Sequence, residues 1–231
     1  LPSGKMMPKN VHITGIVDSF RQALEDRLQR AGATITDDSD AADISVSMGE
    51  GASGDIAIVP YDSQPGEADL VVRVHDLLVP EGAEIWGSQV IHEWADWVMG
   101  GAEGEPSSDE PRHWVHVRDS TDALAILILS DEMTSGSVDL CGRRAWSRES
   151  IITEMSLLWG RFTDAVQHTH TVSSLTGSSS PVSSEETPAT RPDLGPLHNA
   201  LLRAGGDGWR PLVPMRVSLM EVLANRGEGS T

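Results

Sequence analysis

A histidine and an aspartate stand four positions apart in the segment HEWAD, which begins at His92 and ends at Asp96. On a helix this spacing places both side chains on one face, as in helical metal-binding pairs. The segment lacks the second histidine of the zinc-protease motif and an obvious third ligand, so the pattern favours an ordinary helix face with an exposed ion pair. His168 and His170 stand at the edge of a polar segment, where a solvated loop is the better interpretation. We therefore predict no metal site.

Arginine side chains are the second group with possible binding chemistry, because the planar guanidinium fits phosphate oxygens. The candidates are Arg73, Arg143, Arg144 and Arg191. If they converge on one cleft of this acidic protein they mark an anion site, and if they lie apart they form structural ion pairs.

The segment ITGIVDSFRQAL, residues 13–24, has the pattern of a strand that turns into a helix. In a dinucleotide-binding turn, three glycines allow a tight turn, close approach of the pyrophosphate and helix packing. Thr14 and Gly15 fit this pattern, but Asp18 and Arg21 stand where the second and third glycines belong. The carboxylate would repel a pyrophosphate, and the arginine would offset part of that charge without restoring the space. The sequence thus favours a turn that has lost its cofactor, with NAD or NADP binding as the alternative.

Two further acidic residues belong to the cofactor alternative. Asp37 and Asp38 close the second predicted strand about 20 residues beyond Gly15, where an acid would bind an adenosine ribose hydroxyl. Otherwise they form a solvated turn with Asp40. If a cofactor binds, the expected binding residues are Thr14, Gly15, Asp18, Arg21, Asp37 and Asp38.

The charge balance disfavours several partners. The 231 residues include 17 Lys+Arg and 35 Asp+Glu, a formal net charge of −18, so we expect neither nucleic acid nor a membrane as partner. Cys141 is the single cysteine, which excludes an intrachain disulfide and a zinc site built from cysteines. The longest apolar run, residues 123–129, is too short to span a bilayer. We expect a cytoplasmic protein with a substantial core.

Hydrophobic periodicity predicts strands that alternate with helices. The predicted strands are 11–16, 33–36, 44–48, 55–59, 69–74, 113–117 and 138–140. The predicted helices are 20–30 after a Ser19 cap, 86–99, 120–130 after an Asp119 or Ser120 cap, 147–162 with Ser147 as cap, 194–203 and 218–224. This alternation predicts an α/β fold with a mostly parallel sheet flanked by helices.

Four separated segments, in one order, resemble the extended short-chain dehydrogenase/reductases, the NAD-dependent nucleotide-sugar epimerases and dehydratases. VHITGIVDSFRQALEDRLQRAGATIT is similar to their opening βαβ unit, and ADLVVRVHDLLVP is similar to a segment with an arginine before a turn, here Arg73 and Pro80. RHWVHVRDSTDALAILI resembles their aromatic-Val-Asp-Asp-Ala stretch and is the most specific match. RPDLGPLHNALLRAGGDGWRPLVPMRVSLMEVLA resembles their ending.

The resemblance implies a fold and a division of the chain. It implies a Rossmann-like domain over 10–164 with a shortened middle, a flexible Ser/Thr/Pro-rich loop over 165–193, and a small C-terminal remnant of the substrate lobe over 194–226. It also implies a nucleotide or nucleotide-sugar ligand. The implied substrate-binding residues are Arg73, His116, Asp119 and Arg191.

The chain departs from the family at the catalytic pair. Members carry Tyr-x-x-x-Lys, in which the lysine lowers the pKa of the acid–base tyrosine. This chain has one tyrosine, Tyr61, and its two lysines, Lys5 and Lys9, both precede the first strand. The long helices that carry the pair, and usually the dimer interface, have no room between Val59 and Val71.

Three hypotheses about function follow. The first is a diverged protein that still binds a nucleotide or nucleotide-sugar without the usual hydride chemistry. The second is a non-catalytic scaffold or regulatory partner of an active homologue, forming a homo- or hetero-dimer through the tryptophan-rich helix Trp86–Trp97. The third is an active NAD(P)-dependent epimerase, dehydratase or reductase with replacement catalytic residues, for which Tyr61 and His75 are the candidates.

Overall fold

The computed structural model describes residues 8–100, 104, 106, 110–169, 171–172 and 190–228. The chain divides into two compact units, each of which combines separated stretches. Unit 1 comprises residues 1–75, 117–141 and 192–211, and unit 2 comprises residues 76–116, 142–191 and 212–231. The sequence predicted three consecutive regions, 10–164, 165–193 and 194–226. The two units are divided at other positions, and the predicted division stays a prediction. His170 and most of the predicted loop, residues 173–189, lie outside the described residues.

Strands and helices alternate along much of the chain. In unit 1 the elements are β1 (Asn10–Gly15), α1 (Ser19–Arg30), β2 (Thr34–Ile35), β3 (Ile44–Met48), β4 (Gly54–Pro60), β5 (Ala68–Val74), α3 (Val117–Leu129), β8 (Gly136–Leu140) and α5 (Gly195–Arg203). In unit 2 they are β6 (Leu77–Leu78), α2 (Gln89–Val98), β7 (Val115–His116), α4 (Arg148–Gln167) and α6 (Met215–Glu228). None of the described helices is long and apolar enough to cross a membrane.

Unit 1 is built on a six-stranded sheet whose order is β2-β1-β3-β4-β5-β8, with every pair parallel. Alternate residues of each strand point to one face, which is almost fully buried and apolar. Val11, Val46, Ile58 and Val72 on this face are each at most 1% exposed. With the buried sides of α1 and α3, which pack on each other, this face supplies the core of unit 1. The predicted Rossmann-like α/β sheet is thus confirmed.

The opposite face of the sheet is covered differently. β3 joins β4 through residues 49–53, and β4 joins β5 through residues 61–67, although parallel strands usually need a helical crossover. The two connectors bond to each other, since Gly51 N donates to Gln64 O at 3.1 Å and Gly66 N donates to Ala52 O at 2.8 Å. Ala52 packs with Ala57 and Val59, which are buried beneath it. Short turns and loops thus take the place of helices in the middle of the sheet.

Polar side chains occupy much of the remaining surface on this second face. They include His12, Thr14, Ser45, Ser47, Arg73 and Asp139, all at least partly exposed. A sheet face that is packed under helices is normally apolar. The short connectors leave part of this face uncovered, and the residues at the uncovered positions are polar side chains that water can solvate.

Unit 2 has a helical core. Trp94, Ile91, Met155 and Leu219 from α2, α4 and α6 are fully buried together. Trp114 meets Trp94 edge to face, with ring centroids 6.2 Å apart. The predicted helix 86–99 begins only at Gln89, because Gly87 adopts a left-handed φ of +83° and separates it from a short 3₁₀ turn at Glu84–Trp86.

Several helix starts differ from the predictions. Asp18, not Ser19, caps α1, because its carboxylate reaches the backbone N–H of Arg21. α3 begins at Val117, so Asp119 and Ser120 lie within the helix and not before it as predicted, and the strand predicted at 113–117 shortens to β7. Ser147 caps α4 as predicted, accepting from Ser150 N at 3.2 Å.

Candidate functional site

The backbone of the β1–α1 turn requires a glycine at position 15. Gly15 has a φ of +94°, which disfavours any other residue, and a Cβ there would overlap the carbonyl oxygen of Met48. Ile16 N donates to the same oxygen at 3.0 Å. The close approach that Gly15 permits is therefore to the end of β3.

The helix that follows this turn carries its own anion. Asp18 Oδ1 accepts from Arg21 N at 2.9 Å, so a carboxylate lies at the N-terminus of α1, where a phosphate would otherwise be stabilised. The guanidinium of Arg21 donates to Ile13 O at 2.9 Å and to Gly15 O at 3.4 Å, and its Nε donates to Glu25 at 2.7 Å. Both replaced glycine positions thus have structural partners within unit 1.

The acidic residues after β2 form a turn. Asp38 caps a short 3₁₀ turn at Ser39–Ala41, and its Oδ1 accepts from Asp40 N at 3.0 Å. Asp37 and Asp38 are both exposed. The solvated turn is therefore present, and the carboxylate of Asp38 takes part in it, whereas Asp37 is the second residue after β2.

Three side chains meet at the carboxyl ends of β4, β5 and β8. His75 Nε2 donates to Asp139 Oδ1 at 2.7 Å, and the ring of Tyr61 stacks on the imidazole with centroids 4.8 Å apart and planes 20° from parallel. The side chains of His75 and Asp139 are 17% and 32% exposed, and Tyr61 is 54% exposed. We call this group the Tyr61–His75–Asp139 cluster.

A fourth residue fixes the loop that carries Tyr61. Arg73 is the register partner of Asp139 on β8. Its guanidinium, however, bonds to the connector between β4 and β5, where it donates to Ser63 O at 2.9 Å and to Tyr61 O at 3.4 Å. The backbone of Tyr61 is held in addition by Tyr61 N, which donates to Val74 O at 3.0 Å. Arg73 therefore positions the loop that carries Tyr61, and its predicted role in substrate binding stays a prediction.

In unit 2 the spacing of His92 and Asp96 has a structural explanation. His92 is 7% exposed and donates from Nε2 to Val79 O at 2.9 Å, and burial lowers its pKa against the opposing effect of this hydrogen bond. Asp96 instead forms an ion pair with Arg226. Across the described part of the chain, no group of three or more potential ligands could hold a metal ion.

The other predicted binding residues divide between the two units. In unit 2, His116 is buried with Nε2 3.0 Å from Glu221 Oε2, and Arg191 donates to Arg143 O at 3.0 Å. Arg144, also in unit 2, lies over the ring of Trp146 at 4.5 Å. In unit 1, Asp119 is buried on α3. Arg73 and Arg191 thus donate to backbone carbonyls rather than forming the ion pairs of the structural alternative, and an anion site built from these arginines stays a prediction.

The strand order and the glycine turn define unit 1 as a Rossmann-like α/β sheet, and solved structures of this class resemble the chain. RMD from Pseudomonas aeruginosa, complexed with NADPH, has a TM-score of 0.62 at 12% identity, covering 96% of this chain and 99% of that one. The enzyme WbmF from Bordetella bronchiseptica, in complex with NAD+, has a TM-score of 0.56 at 8% identity, covering 98% and 94%. The UDP-glucose 4-epimerase of Thermus thermophilus, in complex with NAD, has a TM-score of 0.55 at 11% identity, covering 94% and 99%.

At these identities the likeness establishes the fold, and it confirms the fold that the resemblance to epimerases and dehydratases implied. No protein-family model and no curated protein compared with the sequence matches it.

Asp139 is the residue of the cluster that sequence reasoning missed. A signal was present, because Asp139 is the polar residue between Val138 and Leu140 in the predicted strand 138–140. Its partner could not be identified from the sequence, since His75 lies 64 positions away and the two meet only through the pairing of β5 with β8.

Proposed function

We propose that unit 1 binds a nucleotide or nucleotide-sugar along the carboxyl edge of its sheet and does so without Tyr–Lys hydride chemistry. The topology carries the proposal. From β1 the chain passes to β2 on one side and then to β3 on the other, so the strand order reverses between β1 and β3. Open α/β sheets bind their ligands beyond the carboxyl ends of the strands at such a point.

The side chains at this edge suit an extended ligand. Thr14 and Gly15 end β1, and the Tyr61–His75–Asp139 cluster begins at the end of β4, two strand spacings or about 10 Å away. A ligand with a phosphate near the β1–α1 turn and a ring near the cluster would contact both. The solved structures of similar fold were bound to NADPH or NAD, which supports testing NAD and NADP among the nucleotides.

Only part of the turn fits a dinucleotide. Thr14, Gly15 and Asp37 would hold one, and such a cofactor would supply hydride transfer when bound. Asp18, which already neutralises the start of α1, opposes a pyrophosphate. We therefore expect weaker binding of NAD or NADP than an intact glycine-rich turn provides.

Tyr–Lys hydride chemistry requires a lysine beside the tyrosine, and Lys9 does not lie beside Tyr61. Lys9 Nζ donates to Ser130 O at 2.7 Å and to Ile128 O at 3.3 Å, at the C-terminal end of α3. Lys9 precedes β1 and therefore lies at the amino edge of the sheet, whereas Tyr61 follows β4 at the carboxyl edge. A strand of six residues, about 20 Å long, separates these edges, beyond the reach of a lysine side chain.

The test is a titration of the whole chain with NAD+, NADP+, NADPH, UDP and UDP-glucose, followed by tryptophan fluorescence and calorimetry. We expect at least one Kd below about 100 µM, close to −5.5 kcal/mol. In amide NMR spectra the shifts should fall on Thr14, Gly15 and Tyr61, and not on Asn10 at the amino edge. No binding up to millimolar concentrations would refute the proposal and favour the scaffold hypothesis. For that hypothesis, Trp94 of the predicted Trp86–Trp97 segment is buried in the helical core of unit 2 and is not available to a partner.

A further inference from the structure

We propose that a cavity at the amino edge of the sheet of unit 1 binds a zwitterion, a free α-amino acid with an apolar side chain. The cavity has a volume of about 250 Å³ and lies where the chain enters β1 and leaves α1 and α3. We call it the amino-edge cavity, and its walls include Pro8, Lys9, Ala31, Gly32, Leu129 and Asp131. The length of β1, about 20 Å, separates it from the carboxyl edge, so the inference does not rest on the proposed function.

Lys9 supplies the positive charge of the amino-edge cavity. Its Nζ donates to Ser130 O at 2.7 Å and to Ile128 O at 3.3 Å, which occupies two of the three N–H donors of an ammonium group. Among the described residues no acceptor meets the third donor. The two carbonyls hold the Lys9 side chain at the end of α3, so a ligand carboxylate can bind the remaining N–H without moving it.

Asp131 supplies the negative charge. It is exposed, and within the described part of the chain its carboxylate forms no hydrogen bond and no ion pair, not even with Lys9. Its backbone is held in a turn, because Ser130 Oγ donates to Glu132 O at 3.0 Å and accepts from Glu132 N at 3.1 Å. Two opposite charges thus line one cavity from fixed backbone positions without neutralising each other.

The helix ends around the cavity favour a ligand that carries both charges. The C-terminus of a helix is partially negative, and α1 and α3 both end at this cavity. Lys9 satisfies the end of α3, but at the end of α1 the carbonyl oxygens of Ala31 and Gly32 accept no hydrogen bond from the described residues. A ligand ammonium would be stabilised by these oxygens and by Asp131, while its carboxylate bonds to Lys9. An anion alone would be repelled by the helix ends, and a cation alone would be repelled by Lys9.

The apolar part of the wall and the volume select the side chain of the ligand. Pro8 and Leu129 provide apolar surface beside the two charges. An apolar cavity of about 150 Å³ accommodates benzene, so this one has room for about ten non-hydrogen atoms. L-leucine has about this size, and its branched side chain can pack on Pro8 and Leu129. It is therefore the probe of choice.

The experiment titrates the whole chain with L-leucine and with two analogues that each lack one charge, leucinamide and N-acetyl-leucine. Binding is followed by amide NMR spectra. We expect leucine to bind with a Kd of about 1 mM or below. Each analogue should bind at least about tenfold more weakly, because one charge-assisted hydrogen bond is lost. The shifts should fall on Ala31, Gly32 and Leu129, and not on Gly15 at the carboxyl edge.

The same charges are then removed from the protein. Asp131→Asn should raise the Kd for leucine about tenfold but should not weaken N-acetyl-leucine, which has no ammonium. Lys9→Met should weaken leucine by a similar factor but should not weaken leucinamide, which has no carboxylate. The control is Glu132→Gln, at an exposed acid next to Asp131 that does not line the cavity, and it should leave every affinity unchanged. Circular dichroism checks the fold, and if loss of the α3 contact unfolds Lys9→Met, Asp131→Asn decides.

Three results would overturn the inference. The first is the absence of leucine shifts up to about 20 mM, or shifts confined to the carboxyl edge. The second is equal binding of leucine and both analogues. The third is an Asp131→Asn variant that binds leucine as tightly as wild type does. Binding or failure of nucleotides bears on none of these, because the two edges of the sheet are tested with different ligands.

Discussion

Asp18→Asn is the substitution that most directly tests the β1–α1 turn. Asparagine caps helices as well as aspartate does, so the contact with Arg21 N should survive and the free energy of unfolding should change by less than about 1 kcal/mol. What disappears is one negative charge at the start of α1. Dinucleotides and nucleoside diphosphates should therefore bind more tightly to the variant.

The size of the effect follows from the position of the carboxylate. A phosphate at the N-terminus of α1 would lie about 5 Å from Asp18, and at an effective dielectric constant of about 40 the repulsion is roughly 1.7 kcal/mol per unit charge. This corresponds to an affinity gain of about 15-fold at low salt. Because the turn is partly exposed, raising the ionic strength should reduce the difference.

Calorimetry of wild type and variant with NAD+ and UDP measures this gain. The control is Asp26→Asn, an equal loss of charge at an exposed position of the same helix. Eight residues along α1 correspond to about 12 Å, beyond the Debye length at physiological ionic strength, so its affinity should change less than twofold. If Asp18→Asn binds no more tightly than Asp26→Asn, the carboxylate does not oppose a phosphate at this helix, and the reasoning fails.

Three further predictions concern stability. In urea unfolding, Gly15→Ala should destabilise the protein by about 2 kcal/mol more than Gly32→Ala. Both glycines have a φ of +94°, but only at Gly15 would the added Cβ overlap a backbone carbonyl. Equal losses of stability in the two variants would contradict this. Burial lowers the pKa of His92, so below pH 6.5 the unfolded chain takes up a proton that the folded chain does not. The free energy of unfolding should then fall by up to about 1.4 kcal/mol per pH unit, and His92→Gln should reduce this slope in thermal melts from pH 8 to 5; an unchanged slope would contradict this. Ser147→Ala should cost about 1 kcal/mol through loss of the α4 cap, and no change in the urea midpoint would count against the cap.

Strand positions were the most predictable part of the fold. β3 lies at Ile44–Met48 as predicted, and β4 and β5 differ from the predictions by one residue at most at each end. Continuous β-branched runs bounded by Gly, Asp and Pro indicate buried strands through local patterning alone. Helix starts were less predictable, because α3 takes in Val117 and Arg118, whose identity does not distinguish a strand end from a first helical turn.

The sequence by itself determined the class of fold and the absence of a Tyr-x-x-x-Lys motif from these 231 residues. Periodicity is local, and a residue type that is absent, such as lysine beyond Lys9, cannot be supplied by folding. Only the tertiary structure decided that Asp18 caps α1, that Arg73 holds a loop, and that His75 meets Asp139 beside Tyr61. These contacts depend on which strands pair and in what register, and the free energy that selects the pairing comes from the whole buried core. A sequence pattern therefore identifies candidate side chains, and the sheet determines which of them meet.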